Sequence, residues 1–259
     1  MHLLRLLAVS IKRQFLEWMG WRAFLITLVV NQTVAPLLGL AVWSVALPGS
    51  TQIPTYYMAL LIVQLMTVSY EQHTFSNGLY DGTLSHELLK PQPVVIGLLG
   101  TNIAARLLHV LIGLPIILIV GAITSISFAP VAPRFIVGVL LAIPAVLLAA
   151  ILRFLFMYLL ALSAFWTERA HGVAGFGETL AFLLGGSAAP IPLFPQSIRP
   201  LGELLPFRYM LGFPAEIASG SLNEVLQGYG YQVCWIGVFA LAAIFAWRAG
   251  LRRFMAVGG

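Results

Sequence analysis

Long uncharged stretches alternate with short polar ones along nearly the whole chain, and the apolar stretches approach the roughly 20 residues a helix needs to cross a bilayer. Six spans are predicted, at 23–47, 54–70, 100–125, 135–166, 173–194 and 229–247. The first carries no charge, although Asn31, Gln32, Thr33 and Pro36 make its first half unusually polar. The second begins in the aromatics Tyr56 and Tyr57, which suit a membrane interface. The third has its uncharged centre at 107–125, and the fourth is interrupted once, by Arg153. The fifth loses helical character at Gly185, Gly186, Pro190, Pro192 and Pro195, since proline removes an amide donor and bends the chain. Broken backbone at membrane depth survives only inside protein or beside water, so a re-entrant element near a pathway, an outer gate, is expected there. The long stretch 195–227 is expected to fold into short helices around 201–205, 210–218 and 222–227.

Two segments outside the spans have helical patterns of their own. In 1–22, Leu4, Leu7, Ile11, Phe15, Trp18 and Arg22 share one side, while Arg5, Lys12, Arg13 and Glu17 spread over the other. Such a basic amphipathic helix lies in the membrane interface, apolar face toward the acyl chains and basic face toward anionic headgroups; the alternative is a flanking extension of the first span. In 71–91, Asp81-Gly82-Thr83 breaks the chain, and Thr83 or Ser85 is placed to cap a new helix. Leu84, Leu88 and Leu89 fall on one face of that helix, and Pro91 and Pro93 end it. A short amphipathic surface helix suits a groove on a soluble partner; the alternative is a solvated loop whose leucines touch the membrane surface.

Composition removes the water-soluble classes. Of 259 residues 60% are apolar and 9% charged, against about a quarter charged in a soluble domain, so lipid must solvate much of the exterior. The expectation is an all-α polytopic membrane protein with a single transmembrane domain. The net charge of +5 is explained by topology without nucleic acid. With a cytoplasmic N-terminus, ten cations (Arg5, Lys12, Arg13, Arg22, Lys90, Arg106, Arg169, Arg248, Arg252, Arg253) fall inside and three (Arg134, Arg199, Arg208) outside. Both termini are therefore expected in the cytoplasm. The one cysteine, Cys234, excludes an intrachain disulfide, and the scattered histidines suggest no metal site.

Chemistry within the spans is sparse, and no residue is expected to be catalytic. Arg153 should face protein, water or an anionic group, or else snorkel or pair within the bundle. Asn31, Gln32 and Thr33 either line a translocation path or join helices. Glu168 and Glu178 are expected in a short cytoplasmic loop, leaving no acid clearly inside a span, which speaks against a proton-coupled secondary transporter. His86-Glu87 lacks the second histidine of a zinc protease, so a membrane-embedded enzyme is disfavoured; a structural membrane subunit stays open.

Two segments resemble the permease subunits of ABC-2-type (type V) exporters. Gly82-Thr83-Leu84-Ser85-His86-Glu87-Leu88-Leu89-Lys90-Pro91 is similar to the family's Gly-Thr-Leu-Glu-x-x-Leu-Leu-x-x-Pro segment before helix three, with Ser85 in place of the acid. The version with Asp there and Pro after Leu-Leu-Arg, in the branch named "ABC-2 family transporter protein", fits better still. Leu183-Leu184-Gly185-Gly186-Ser187 through Pro190, Leu193, Pro195 and Leu205-Pro206-Phe207 to Gly220 is similar to the family's Ser-Gly-x-x-x-Pro-Leu, Pro and Pro-Phe series between helices five and six. The resemblance implies a permease of the plasma or inner membrane that moves a hydrophobic or amphipathic substrate, with a glycan chain not excluded. It makes 82–91 the coupling helix, with Leu84, Leu88 and Leu89 as apolar contacts to a cytoplasmic ATPase, Glu87 and Lys90 as rim ion pairs, and Gly82 and Pro91 as its bounds. The N-terminal helix becomes the connecting helix. The only lysines, Lys12 and Lys90, lie outside any P-loop pattern, so ATP and Mg would belong to the ATPase and no cofactor to this chain. Membrane lipids and a second copy or paralogous permease complete the implied partners.

Overall fold

The computed structural model describes residues 2–123 and 133–257; residues 1, 124–132, 258 and 259, and with them the last two residues of the third expected span, lie outside the described part, as do the side chains of Arg22 and Arg134. Twelve α-helices follow one another: α1 (His2–Gly20), α2 (Arg22–Ala46), α3 (Gln52–Met66), α4 (Glu71–Tyr80), α5 (Thr83–Leu88), α6 (Val94–Ile123), α7 (Pro133–Leu162), α8 (Ala170–Leu184), α9 (Arg199–Leu204), α10 (Pro206–Met210), α11 (Gly212–Ala218) and α12 (Val225–Val257). Short 3-10 turns at Ser163–Phe165 and Ile191–Leu193 are the other regular elements among the described residues.

Among the described residues five stretches are long and apolar enough to cross a bilayer: Ala23–Ala46, Gln52–Tyr80, Val94–Ile123, Ile136–Phe165 and Val225–Phe254. The chain is an all-α polytopic membrane protein. The expected fifth span is the exception to the length rule. Helix α8 has 15 residues, about 22 Å at 1.5 Å per residue against a hydrocarbon core of about 30 Å, and it stops at the Gly185-Gly186 pair. The short helices α9, α10 and α11 follow, and α10 and α11 are buried, packed against α3, α7 and α8. The helix expected around 222–227 is absorbed into α12, which starts at Val225.

The second span departs furthest from expectation. It does not end at Tyr70 in a solvated loop but continues as α4, with Glu71, Gln72, Phe75 and Ser76 buried. The α3–α4 stretch is the axis of the bundle: 72% of an 18-residue apolar window within it is buried, against 11% for the corresponding window in Val225–Phe254. Apolar side chains collect around it in two large clusters. One surrounds Tyr56, Leu60, Met157 and Met210, and the other surrounds Phe75, Leu84, Leu98, Phe154 and Tyr158.

Helix α1 lies along α6. Its expected apolar face is therefore turned mainly onto protein and not onto acyl chains: Leu7, Ile11, Phe15 and Trp18 are half-buried, whereas Leu4, Val9 and Leu16 lie exposed among Arg5, Lys12 and Arg13. The two helices approach closely because Gly100 has no side chain, and a Cβ there would collide with the Ser10 side chain. Thr101 Oγ1 donates to Gln14 Oε1 at 3.2 Å across the same contact. Gly100→Val is expected to destabilise the fold by about 1–3 kcal/mol through overpacking and to speed trypsin cleavage at Lys12 and Arg13. Gly97→Ala, where nothing lies within 4 Å, should neither lower the thermal midpoint nor speed the cleavage.

Candidate functional site

The surface helix begins at a glycine that only a left-handed backbone accommodates: Gly82 has φ +79° and precedes the first turn of α5. Asp81 supplies the cap expected of Thr83 or Ser85. Its Oδ1 accepts from the Thr83 amide at 3.0 Å and from the Thr83 hydroxyl at 2.7 Å, and these bonds hold its carboxyl below the usual carboxylate range. Leu84 turns inward and is 3% exposed, packed with Phe75 and Leu98. Leu88, one turn on, is half-buried against the same cluster, while Leu89, a further 100° around the helix, is 84% exposed. The expectation that all three leucines face a partner is corrected accordingly: Leu84 belongs to the chain's own core and Leu89 is the free one. Glu87 and Lys90 pair with each other at the surface, and Pro91 is exposed. A cavity of about 230 Å³ lies between this helix, α1, α4 and the start of α6, with Ser10, Arg13, Gln14, Thr83, Glu87 and Lys90 on its walls.

Between α3 and α4, at Thr67–Tyr70, the helical ladder is interrupted, and polar side chains from four other helices converge on the break. Arg106 of α6 donates from Nε to the Val68 carbonyl at 3.1 Å and from Nη2 to the Ala150 carbonyl of α7 at 2.7 Å. The Glu71 carboxylate accepts from Ser69 Oγ at 2.6 Å and from Asn102 Nδ2, which also donates to Ser69 Oγ at 2.9 Å. Arg153 donates from Nη1 to Thr67 Oγ1 at 3.2 Å, and Gln72 Nε2 donates to Glu178 at 3.1 Å. A second chain of bonds runs beside these. Gln64 donates to Gln32 (3.1 Å), Gln32 to the Tyr70 hydroxyl (3.5 Å), and Tyr70 OH lies 2.9 Å from His109 Nε2. His109 Nδ1 lies 2.8 Å from the Ala105 carbonyl, which can only accept; the proton is thus on Nδ1, and Tyr70 donates to Nε2. Trp18 of α1 packs on the Tyr70 ring, tying the N-terminal helix to the same belt.

The residues expected to line a common path are separated by this arrangement. Arg153 is 9% exposed and faces protein. Gln32 joins the belt, Thr33 is buried with its hydroxyl returned to the Val30 carbonyl at 2.8 Å, and Asn31 points outward from the bundle. Glu178 is on α8 and not in a loop. Glu71, which the sequence pattern left just outside a span, is an acid buried to 2% exposure; the argument from a shortage of buried acids is corrected on that point. No local signal marked this break: the N-cap of α4 is Tyr70 without a side-chain cap, and Ser69 and Gln72 bond instead to Glu71 and Glu178.

At the other end of the bundle, the break at Gly185 and Gly186 is buried and held by side chains. Gly186 has φ +93°, and its carbonyl accepts from Tyr56 OH at 2.9 Å. The Ala188 carbonyl accepts from Trp43 Nε1 at 2.9 Å. Pro190 is buried, whereas Pro192 and Pro195 are exposed. A cavity of about 510 Å³ adjoins this segment, bounded by Gln52, Tyr56, Pro190, Pro192 and Glu216.

Residues 19–258 match the family described as "ABC-2 family transporter protein". The chain belongs to the ABC-2 transporter family. No curated protein and no solved structure matches it. The match covers every transmembrane helix and leaves out most of α1, so the ABC-2 assignment rests on the bundle, the surface helix and the broken outer segment together. In this ABC-2 permease the polar belt is a structural element first, because it satisfies backbone that hydrocarbon cannot. Arg106→Met should lower stability by about 1–3 kcal/mol, leaving the Val68 carbonyl without its donor, as read from the thermal midpoint in detergent. Arg106→Lys should recover only part of the loss, since an ammonium lacks the planar fork that reaches two carbonyls.

Proposed function

We propose that the chain is the permease of an ATP-binding-cassette exporter, oriented with both termini in the cytoplasm of a plasma or inner membrane. It moves a hydrophobic or amphipathic substrate by alternating access, driven by a separate ATPase that holds ATP and Mg. The observation that carries this reading is the connection between surface and core. Helix α5 exposes Leu89 at one side and is anchored by Leu84 on the other, in a cluster shared with α4, α6, α7 and α12. Force applied at α5 therefore passes into α4, and through the Thr67–Tyr70 break into α3, the most buried span. The ATPase biases the permease to the extent that it binds one of its states better, and ATP supplies that difference by closing the ATPase dimer. Substrate passes where two transmembrane halves meet, the second being another copy or a close paralogue.

The test is co-purification and stimulated ATP hydrolysis with the candidate ATPase in lipid. Leu89→Asp should reduce complex formation at least about tenfold and abolish stimulation, while the thermal midpoint of the permease alone stays within about 0.5 kcal/mol of wild type, as for an exposed position. Leu84→Asp serves as the contrast, because it buries a charge and should prevent folding. An unchanged complex and unchanged turnover with Leu89→Asp would remove α5 as the coupling element.

A further inference from the structure

One acid stands on the outside of the bundle at membrane depth. Glu178 is exposed on α8, eight residues on from Ala170, and its partner Gln72 is eight residues back from Tyr80 on α4. Both counts put the pair about 12 Å inside the end of the bundle that carries α5. Around Glu178 the outer face of α8 is apolar, with Val173, Phe176, Phe182 and Leu183 exposed. The neighbouring Thr179 returns its hydroxyl to the Gly175 carbonyl at 2.8 Å, an outlet that a carboxylate does not have. Glu178 Oε1 accepts from Gln72 Nε2, while Oε2 takes neither a hydrogen bond nor an ion pair among the described residues. Arg153 stands behind it, buried and bonded to Thr67, and acts on it through space alone. Gln72 is 3% exposed, and its own Oε1 has no donor. Two acceptors, one charged and one buried, therefore meet here with no N–H to fill them, at a depth where acyl chains supply none.

A polar crevice leads to this point along α4 and α8. At its mouth the Tyr80 hydroxyl donates to the Thr167 carbonyl and accepts from the Ala170 amide. His171 Nε2 donates to Asn77 Oδ1 at 3.1 Å, and one turn further in the His73 ring stacks on His171 with centroids 5.3 Å apart. His73, Asn77 and His171 are all exposed. His73 and Asn77 also line a cavity of about 480 Å³ between α4 and the junction of α1 with α2. Its other walls include Glu17, Asp81, Trp18, Trp21 and Phe24, with no lysine or arginine among the described lining residues. Acids beside aromatic faces attract a cation, by charge and by the ring quadrupole, and repel an anion.

We propose that this crevice is the entry site for the transported molecule, and that the molecule is an organic cation with an apolar body and N–H donors. Its body rests on Trp21 and Phe24, and its charged nitrogen passes from Glu17 and Asp81 along His73 to Glu178, where an N–H also meets Gln72 Oε1. The inference deepens the permease reading by naming the substrate class and rests on that reading for transport itself.

Equilibrium binding to the purified full chain in phosphatidylcholine nanodiscs tests it with three probes. Ethidium is an aromatic cation with N–H donors, tetraphenylphosphonium a cation without them, and anilinonaphthalene sulfonate an aromatic anion. Ethidium should bind saturably and more tightly than tetraphenylphosphonium, and the sulfonate should show no saturable binding. Glu178→Gln keeps an acceptor for Gln72 and should weaken ethidium binding at least about tenfold, and Glu17→Gln about threefold, with both thermal midpoints unchanged. Thr179→Ala, beside Glu178, should leave ethidium binding as in the wild type. No saturable ethidium binding, an affinity unchanged by Glu178→Gln, or an equal loss with Thr179→Ala overturns the proposal. Tetraphenylphosphonium binding as tightly as ethidium overturns the role of Gln72 as an N–H acceptor. Displacement of ethidium by phosphatidylethanolamine in the discs overturns the substrate assignment in favour of a lipid headgroup. A dimer in native mass spectrometry that Glu178→Gln dissociates, with no ethidium bound by the wild type, overturns it in favour of a second chain against Glu178. ATPase co-purification is scored apart on the wild-type chain: its failure removes the permease reading and leaves the binding result standing, and failed binding leaves the permease reading standing.

Discussion

Between Thr67 and Tyr70 the most buried helix of the bundle loses its hydrogen-bond ladder at a depth where water is not available to replace it, and the surrounding helices are organised by the need to satisfy what is left. Arg106 reaches the Val68 carbonyl from α6 and simultaneously holds Ala150 of α7. Ser69, Asn102 and Glu71 close a ring of hydrogen bonds, and Thr67 accepts from Arg153. Each of these groups would be costly alone in hydrocarbon. Together they place two carboxylates and two guanidiniums around one break without a direct ion pair among them, each charge being met by a neutral dipole of fixed orientation.

The same helix links both ends of the molecule. Tyr56 near the start of α3 holds the Gly186 carbonyl in the broken outer segment, and α4 at the other end runs into the Gly82 turn and α5. Trp43 of α2 adds a second donor to the outer coil at Ala188. Helix α5 is thus connected through packed side chains to the broken segment at the other end of the bundle, by way of the interruption at Thr67–Tyr70. Helix α12, by contrast, is mostly exposed and contributes through its contact with α7.

Burial of polar groups sorts the three adjacent residues of α2 by direction alone. Gln32 faces α3 and enters the belt; Thr33 faces inward and bonds to its own helix; Asn31 faces away from the bundle. Successive helical residues differ by 100°, so one polar tripeptide meets three environments. The three leucines of the surface segment divide in the same way, Leu84 and Leu88 toward the core and Leu89 outward.

The all-helical membrane class, the amphipathic character of 1–22 and the surface helix bounded by Gly82 and Pro91 were legible in the chain itself, because each depends on residues close together in sequence: apolar run length, periodicity, and proline or glycine at a turn. The position of the break in the second span was not legible, since no proline or glycine marks it and no side chain caps the start of α4. What the tertiary structure alone decided was direction. The apolar face of α1 meets α6, Glu71 is an interior acid, Arg153 faces Thr67, and Leu84 is core. Local pattern states that a helix has a polar or apolar side; which neighbour occupies that side is a property of contacts between residues far apart in the chain, and those exist only once the bundle is packed.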